Sequence, residues 1–262
     1  MKIVVKVGTS TLAHATGRLN IRRVEALVKV RSDLQNEGHQ LVLVTSGAIG
    51  RGVGKLNLPG RPADMPTKQA AAAVGHCELM YTYDRLFAEY SHTVAQLLLT
   101  AEDVNFPQRR QNFENAINRL LELNVLPVVN ENDAVATDEV GVSTTIGEND
   151  TLSAIVAQCV GADLLILLSD IDGLYTADPR QNPDAALIPE VREITQELRA
   201  LAGAPGSALG SGGMATKLKA AEIAMACGCG MVIANGNHPE RLYDIAAGRH
   251  TGTRFIGRRD GQ

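Results

Sequence analysis

Short apolar runs of strand type alternate with longer segments of helical period along almost the whole chain, and this alternation sets the fold class. Residues 2–7, 40–45, 93–99, 125–130, 164–169, 231–234 and 254–256 read as strands. Residues 21–36, 67–89, 110–123, 150–160, 213–227 and 239–247 read as helices. Continuous apolar strands separated by helices predict a mostly parallel sheet covered on both faces, an α/β three-layer sandwich. A chain of 262 residues is long enough to bury two such faces. In open parallel sheets the chemistry lies beyond the carboxyl ends of the strands. Lys6-Val7-Gly8-Thr9-Ser10, Thr45-Ser46-Gly47, Asn130-Glu131-Asn132-Asp133 and Ser169-Asp170 end four of these runs and form one polar rim.

Two lysines need explaining. Residues 209–217, Leu-Gly-Ser-Gly-Gly-Met-Ala-Thr-Lys, run from glycines into a helix with Lys217 in its opening turns. A lysine there opposes the helix dipole unless an anion sits between it and the free backbone N–H groups. Lys6 interrupts a strand whose neighbours read as buried, so it needs an anion or an edge-strand exit to water. Gly8 permits close approach of a ligand, which favours a phosphate contact. Glu148, Asn149 and Asp150 open the helix at 150–160 with more polar groups than a cap requires, and Asp150 can pair with both lysines. Residues 50–66 and 203–213 read as long glycine- and proline-containing loops and as candidate lids. Residues 133–146 read as a β-hairpin excursion.

Other site types are excluded. A net charge of −4 with dispersed charges, and only 3% aromatic residues, gives no nucleic-acid or anionic-membrane footprint. No run approaches the length of a membrane helix, and Lys2 and Lys6 break the N-terminal apolar run too early for a signal peptide. Cys77, Cys159, Cys227 and Cys229 lack zinc or thioredoxin spacing and read as reduced, mostly buried thiols of a cytoplasmic protein. The six histidines show no metal-ligand spacing, and no metal ligand is assigned. Gly52-Val53-Gly54-Lys55 imitates a Walker A ending, but Ile49 replaces its first glycine and Leu56 its Ser or Thr. Gly210 to Ala215 fits G-x-G-x-x-A without the preceding strand of a dinucleotide fold. Two lysines, glycine turns and no evident base fit phosphoryl transfer to a carboxylate, an acceptor already ionised. Repulsion between the two anions is then the obstacle, and lysines, a helix N-terminus and Mg²⁺ counter it.

With these motifs in order, the chain resembles the amino-acid kinase family over essentially its whole length. The resemblance rests on residues 5–10, 44–49, 68–75, 129–135, 147–150, 173–180 and 210–217. The Thr-Ser-Gly-Ala-Ile and Asn-Glu-Asn-Asp-Ala-Val segments resemble the branch that phosphorylates L-glutamate. The resemblance implies a single kinase domain, with a substrate lobe over about 1–160 and an ATP lobe over about 161–262. It implies ATP with Mg²⁺, and transfer of the γ-phosphate to the γ-carboxylate of L-glutamate, the first step of proline biosynthesis. Lys6, Lys217 and Asp150 match the catalytic positions, and Ser46, Asp133 and Asn149 those that bind glutamate. Lys6, Ser169, Asp170, Ser211, Gly212, Gly213, Met214, Ala215, Thr216 and Lys217 match the nucleotide-binding positions. A homo-oligomer, dimeric or tetrameric, and feedback by proline at the glutamate site are further implications. The sequence stops at Gln262, so the RNA-binding-type C-terminal domain (PUA) of many relatives is not expected. Glu148 stands where many relatives have Asp, and Ser169 where Thr is common.

Overall fold

The first apolar run forms β1 (Lys2–Val7), and in the computed structural model it occupies the interior of a sheet. The structure describes residues 1–14, 18–136, 138–139, 142–143, 148–177, 179, 182–203 and 213–257. The other described strands are β2 (Gln40–Val44), β3 (Val94–Leu99), β4 (Leu126–Glu131), β5 (Asp138–Glu139), β6 (Val142–Ser143), β7 (Leu164–Ser169), β8 (Glu190–Val191), β9 (Gly230–Asn235) and β10 (Thr253–Phe255). Eight of them form one sheet in the order β3-β4-β2-β1-β7-β9-β10-β8. All its pairings are parallel except β9 with β10. Lys6 lies opposite Val44 of β2 and Leu167 of β7, so an edge-strand exit to water is closed to it.

The helices are α1 (Thr9–Leu12), α2 (Ile21–Asn36), α3 (Ala48–Lys55), α4 (Met65–Ala88), α5 (Ala101–Asn105), α6 (Pro107–Glu122), α7 (Asn149–Val160), α8 (Gln196–Gly203), α9 (Gly213–Ala226) and α10 (Arg241–Ala246). Side chains alternate along a strand, and this places the functional residues. In β1, Ile3, Val5 and Val7 join the core beneath α2, α4 and α10, whereas Val4 joins the core beneath α6, α7 and α9. Lys6 shares the parity of Val4 and therefore faces α7. Glu131 follows Val129, and Ser169 follows Leu167, onto that same face. Thr45 follows Leu43 onto the opposite one, where its hydroxyl lies 2.9 Å from the Tyr83 hydroxyl of α4. Burying each β1 aliphatic side chain contributes roughly 1.5–3 kcal/mol. Helix starts are capped conventionally: Asn20 accepts from the Arg23 amide (3.2 Å), Asp64 from Thr67 (2.9 Å), and Thr100 and Asp103 form a capping box.

Two expectations change. The loop expected at 50–66 is α3 through Lys55, and only residues 56–64 remain irregular. Its glycines allow helix-on-helix contact: a Cβ on Gly52 would lie 1.7 Å from the Ala71 carbonyl oxygen of α4. Reciprocally, a Cβ on Gly75 of α4 would lie 1.7 Å from the Ala48 oxygen of α3. The four cysteines are free, but Cys77 and Cys227 are exposed, Cys227 because it falls just past the end of α9. Of the hairpin expected at 133–146, residues 133–136 form a turn and β5 pairs antiparallel with β6. Residues 137, 140–141 and 144–147 lie outside the described ones, as does most of the loop expected at 203–213.

Candidate active site

The carboxyl ends of β1, β2, β4 and β7 meet the N-termini of α7 and α9. Asp150 is the second residue of α7 and its side chain is 4% exposed. Lys6 Nζ lies 2.7 Å from Asp150 Oδ1, and Lys217 Nζ lies 3.0 Å from Asp150 Oδ2. Helical side chains lean toward the N-terminus, so Lys217 curls back and also donates to the Gly213 carbonyl at 3.2 Å. Thr216 Oγ1 is within hydrogen-bond distance of Asp150 Oδ2 (3.1 Å) and of the Gly213 carbonyl (3.0 Å). Burial alone raises the Asp150 pKa. The two ammonium groups outweigh it and hold the carboxyl below its ordinary range. Two ammoniums on one carboxylate leave a net positive charge, and two helix N-termini add to it. The arrangement is a built anion site.

Beside it opens a cleft of about 620 Å³. Lys6, Ser46, Asp133 and Asn149, brought together from four segments, line it. Ser46 Oγ donates to the Val7 carbonyl at 2.9 Å, which ties the end of β2 to β1. Gly47 takes the left-handed φ of +92° that turns the chain from β2 into α3, a conformation open to glycine. Asn149 Oδ1 is buried without a hydrogen-bond partner among the described residues. Burial raises the Asp133 pKa against the opposing field of Arg61.

Sequence reasoning did not single out Thr9, Arg61, Glu131 or Glu148 as site residues, although all four line the cleft. Arg61 sits between Pro59-Gly60 and Pro62, where no periodicity marks a function. Glu131 and Glu148 stand inside motifs already noted, and strand parity is the signal that places Glu131 on the α7 face.

Of the residues expected to bind nucleotide, Ser169 ends β7 on the α7 face, and its hydroxyl donates to Asp170 Oδ1 at 3.1 Å. Gly213 opens α9, Ala215 is exposed, and the Met214 side chain belongs to the core. Ser211 and Gly212 lie outside the described residues. Among the described residues no group of three His, Cys, Asp or Glu could hold a metal ion, and no helix is long and apolar enough to cross a membrane.

Comparison with known proteins agrees with this geometry. Residues 1–235 match the amino acid kinase family. The glutamate 5-kinase of Listeria innocua serovar 6a is 49% identical over 259 residues, which cover 99% of this chain and 94% of the relative. The glutamate 5-kinase of Clostridium tetani is 53% identical over 253 residues, covering 97% and 93%. Among solved structures, carbamate kinase from Giardia lamblia bound to AMP-PNP superposes with a TM-score of 0.70 at 19% identity, covering 98% of both chains. A T. acidophilum isopentenyl phosphate kinase product complex superposes at 0.68 with 20% identity, covering 97% of this chain and 100% of that one. At those identities the solved structures share the fold. The chain belongs to the amino acid kinase family, in its glutamate 5-kinase group.

Proposed function

We propose that the protein transfers the γ-phosphate of ATP to the γ-carboxylate of L-glutamate, giving L-glutamyl 5-phosphate and ADP, the first step of proline biosynthesis. The observation that carries the mechanism is Asp150 bridging Lys6 and Lys217 at the joint N-termini of α7 and α9. A γ-carboxylate oxygen attacks the γ-phosphorus, the bond to the β-phosphate oxygen breaks, and its electron pair leaves on ADP. The attacking group is an anion, so the chain supplies no base. Lys6 and Lys217 oppose the charge on the transferring phosphoryl group, and Asp150 holds both where that charge develops.

Glutamate occupies the cleft beside Lys6. Its ammonium pairs with Asp133, whose desolvated carboxylate gains most from a cation, and donates to the orphan Asn149 Oδ1. Ser46 and Arg61 meet its carboxylates. ATP lies across Ser169, Asp170 and residues 211–217. Mg²⁺ bound with the nucleotide would offset the charge of the phosphates, and no residue of the chain is assigned to it. In this reading, residues to about 160 hold the acceptor and the remainder the nucleotide. Proline as a competing occupant of the acceptor cleft and a homo-oligomeric assembly belong to the same reading.

The test is product trapping. Purified protein with Mg-ATP, L-glutamate and hydroxylamine should yield the γ-glutamyl hydroxamate. Turnover of N-acetylglutamate with none of glutamate would overturn the acceptor assignment.

A further inference from the structure

Behind the Ser46–Gly47 turn lies a second cavity, of about 350 Å³, which the proposed reaction does not use. Leu12, Leu19 and Leu79 give it an apolar wall, and Arg51 of α3 lines its other side. Arg51 donates to Thr82 Oγ1 at 3.3 Å, and among the described residues no carboxylate pairs with it. A second cation lies deeper. Arg31 of α2 is 1% exposed, and none of its three guanidinium nitrogens has a hydrogen-bond partner among the described residues. Burial, opposed by Tyr83, pushes its pKa down to about 9, so it remains charged at neutral pH. Arg31 and Arg51 both act on Tyr83, whose hydroxyl meets Thr45 beside Ser46. Of the two guanidiniums, Arg51 lines the cavity and Arg31 does not. Among the described residues no acid lines the cavity.

We propose that this cavity is a second ligand site that takes a small branched aliphatic monocarboxylate, its hydrocarbon against Leu12, Leu19 and Leu79 and its carboxylate on Arg51. Size agrees: at about 30 Å³ per water, 350 Å³ is the volume of roughly a dozen waters, ample for a branched acid of about five carbons. An amino acid is disfavoured, because the described lining offers its ammonium group no carboxylate to pair with. The site therefore differs in chemistry from the acceptor cleft, where Asp133, Glu131 and Glu148 stand. The two cavities share Thr9, Ser46, Gly47 and Gly50 as a common wall. Resting on the reading of Ser46 as an acceptor contact, occupancy of one cavity changes affinity in the other.

The experiment is calorimetric titration of the full chain with 3-methylbutanoate at constant ionic strength, without nucleotide. The wild type should bind one equivalent saturably, and Arg51→Gln should weaken binding about tenfold or more. L-leucine and 3-methylbutan-1-ol should bind at least as weakly as that variant. Asp133→Asn should leave the affinity unchanged. Leu79→Phe, which takes up cavity space and keeps the charge, should also weaken binding about tenfold or more, so a misfolded Arg51 variant does not decide the matter. No saturable binding by the wild type, or equal affinity in Arg51→Gln, would overturn the proposal. So would displacement by equimolar chloride, or loss of binding on Asp133→Asn. This readout is binding, so it stands whether or not the hydroxamate assay succeeds. If both hold, saturating 3-methylbutanoate should shift the KM for glutamate.

Discussion

Asp150 holds two lysines and accepts from Thr216, and the consequences of that can be measured. Lys217→Ala should lower kcat by about 10²–10³-fold, the usual cost of one preorganised electrostatic donor, while the circular dichroism spectrum stays native. A variant within a few-fold of wild type would remove Lys217 from the mechanism. Asp150→Asn should destabilise the fold at pH 7 by on the order of 3–5 kcal/mol, because it leaves two buried ammoniums facing each other unpaired. The sign of the pH dependence follows from the depressed Asp150 pKa. The unfolded carboxyl titrates near 3.9 and the folded one below it. The stabilisation is therefore present above about pH 4 and is lost as pH falls through the folded value. The gap between denaturant titrations of wild type and Asp150→Asn should be full above about pH 4 and close as pH falls through the folded value. A constant difference across that range would contradict the pairing. Both lysines and the aspartate were legible in the sequence because each breaks a local rule: a cation in an apolar strand, a cation at a helix start, a surplus of polar groups at a cap. Arg61 breaks no such rule in its proline-glycine loop, and only the fold brings it to Asp133.

At the scale of elements, strands and helices were read well where period and composition agree. β1, β7 and α2 keep their predicted bounds because short continuous apolar runs or a long apolar stripe define them. α3 was read as a loop because Gly50, Gly52 and Gly54 oppose helix, each costing about 1 kcal/mol against Ala. Contact with α4, which no local pattern reveals, overrides that cost. The glycines are therefore unequal. Gly54→Ala, with nothing within 4 Å of its Cβ, should stabilise the protein by about 0.4–1 kcal/mol. Gly52→Ala meets the Ala71 carbonyl and should destabilise by about 1–3 kcal/mol or more. Urea midpoints decide it, and equal shifts for the two would refute the close packing. The short elements α1, α5, α8 and β8 carry too few residues to show a period.

At the scale of the molecule, the alternation of runs predicted the parallel sheet and its two covered faces, but not the strand order or the antiparallel return of β10. Strand order depends on which helix faces pack together, and sequence spacing does not encode that. The anion site draws on residues from both ends of the chain, so nucleotide binding should stabilise the fold as a whole. Mg-ATP at 100 times its Kd should add about 2.7 kcal/mol to the unfolding free energy, seen as a rise in Tm. No rise at saturating Mg-ATP would mean that the nucleotide does not bind the folded chain.

The interior position of β1 also governs the order in which the molecule can be made. The first strand to be synthesised pairs with β2 on one side, but its other neighbour, β7, begins at Leu164. Until then Ile3, Val4 and Val5 form an apolar edge with unpaired backbone groups, the kind of surface that recruits other strands. The closing contact spans more than half the sequence, and such contacts form slowly. Lys217 follows later still, so a nascent chain carries the aggregation hazard of β1 well before it acquires a second lysine. Release of the chain short of Leu164 yields a fragment with β1 open on one side, a natural target for chaperones or proteolysis.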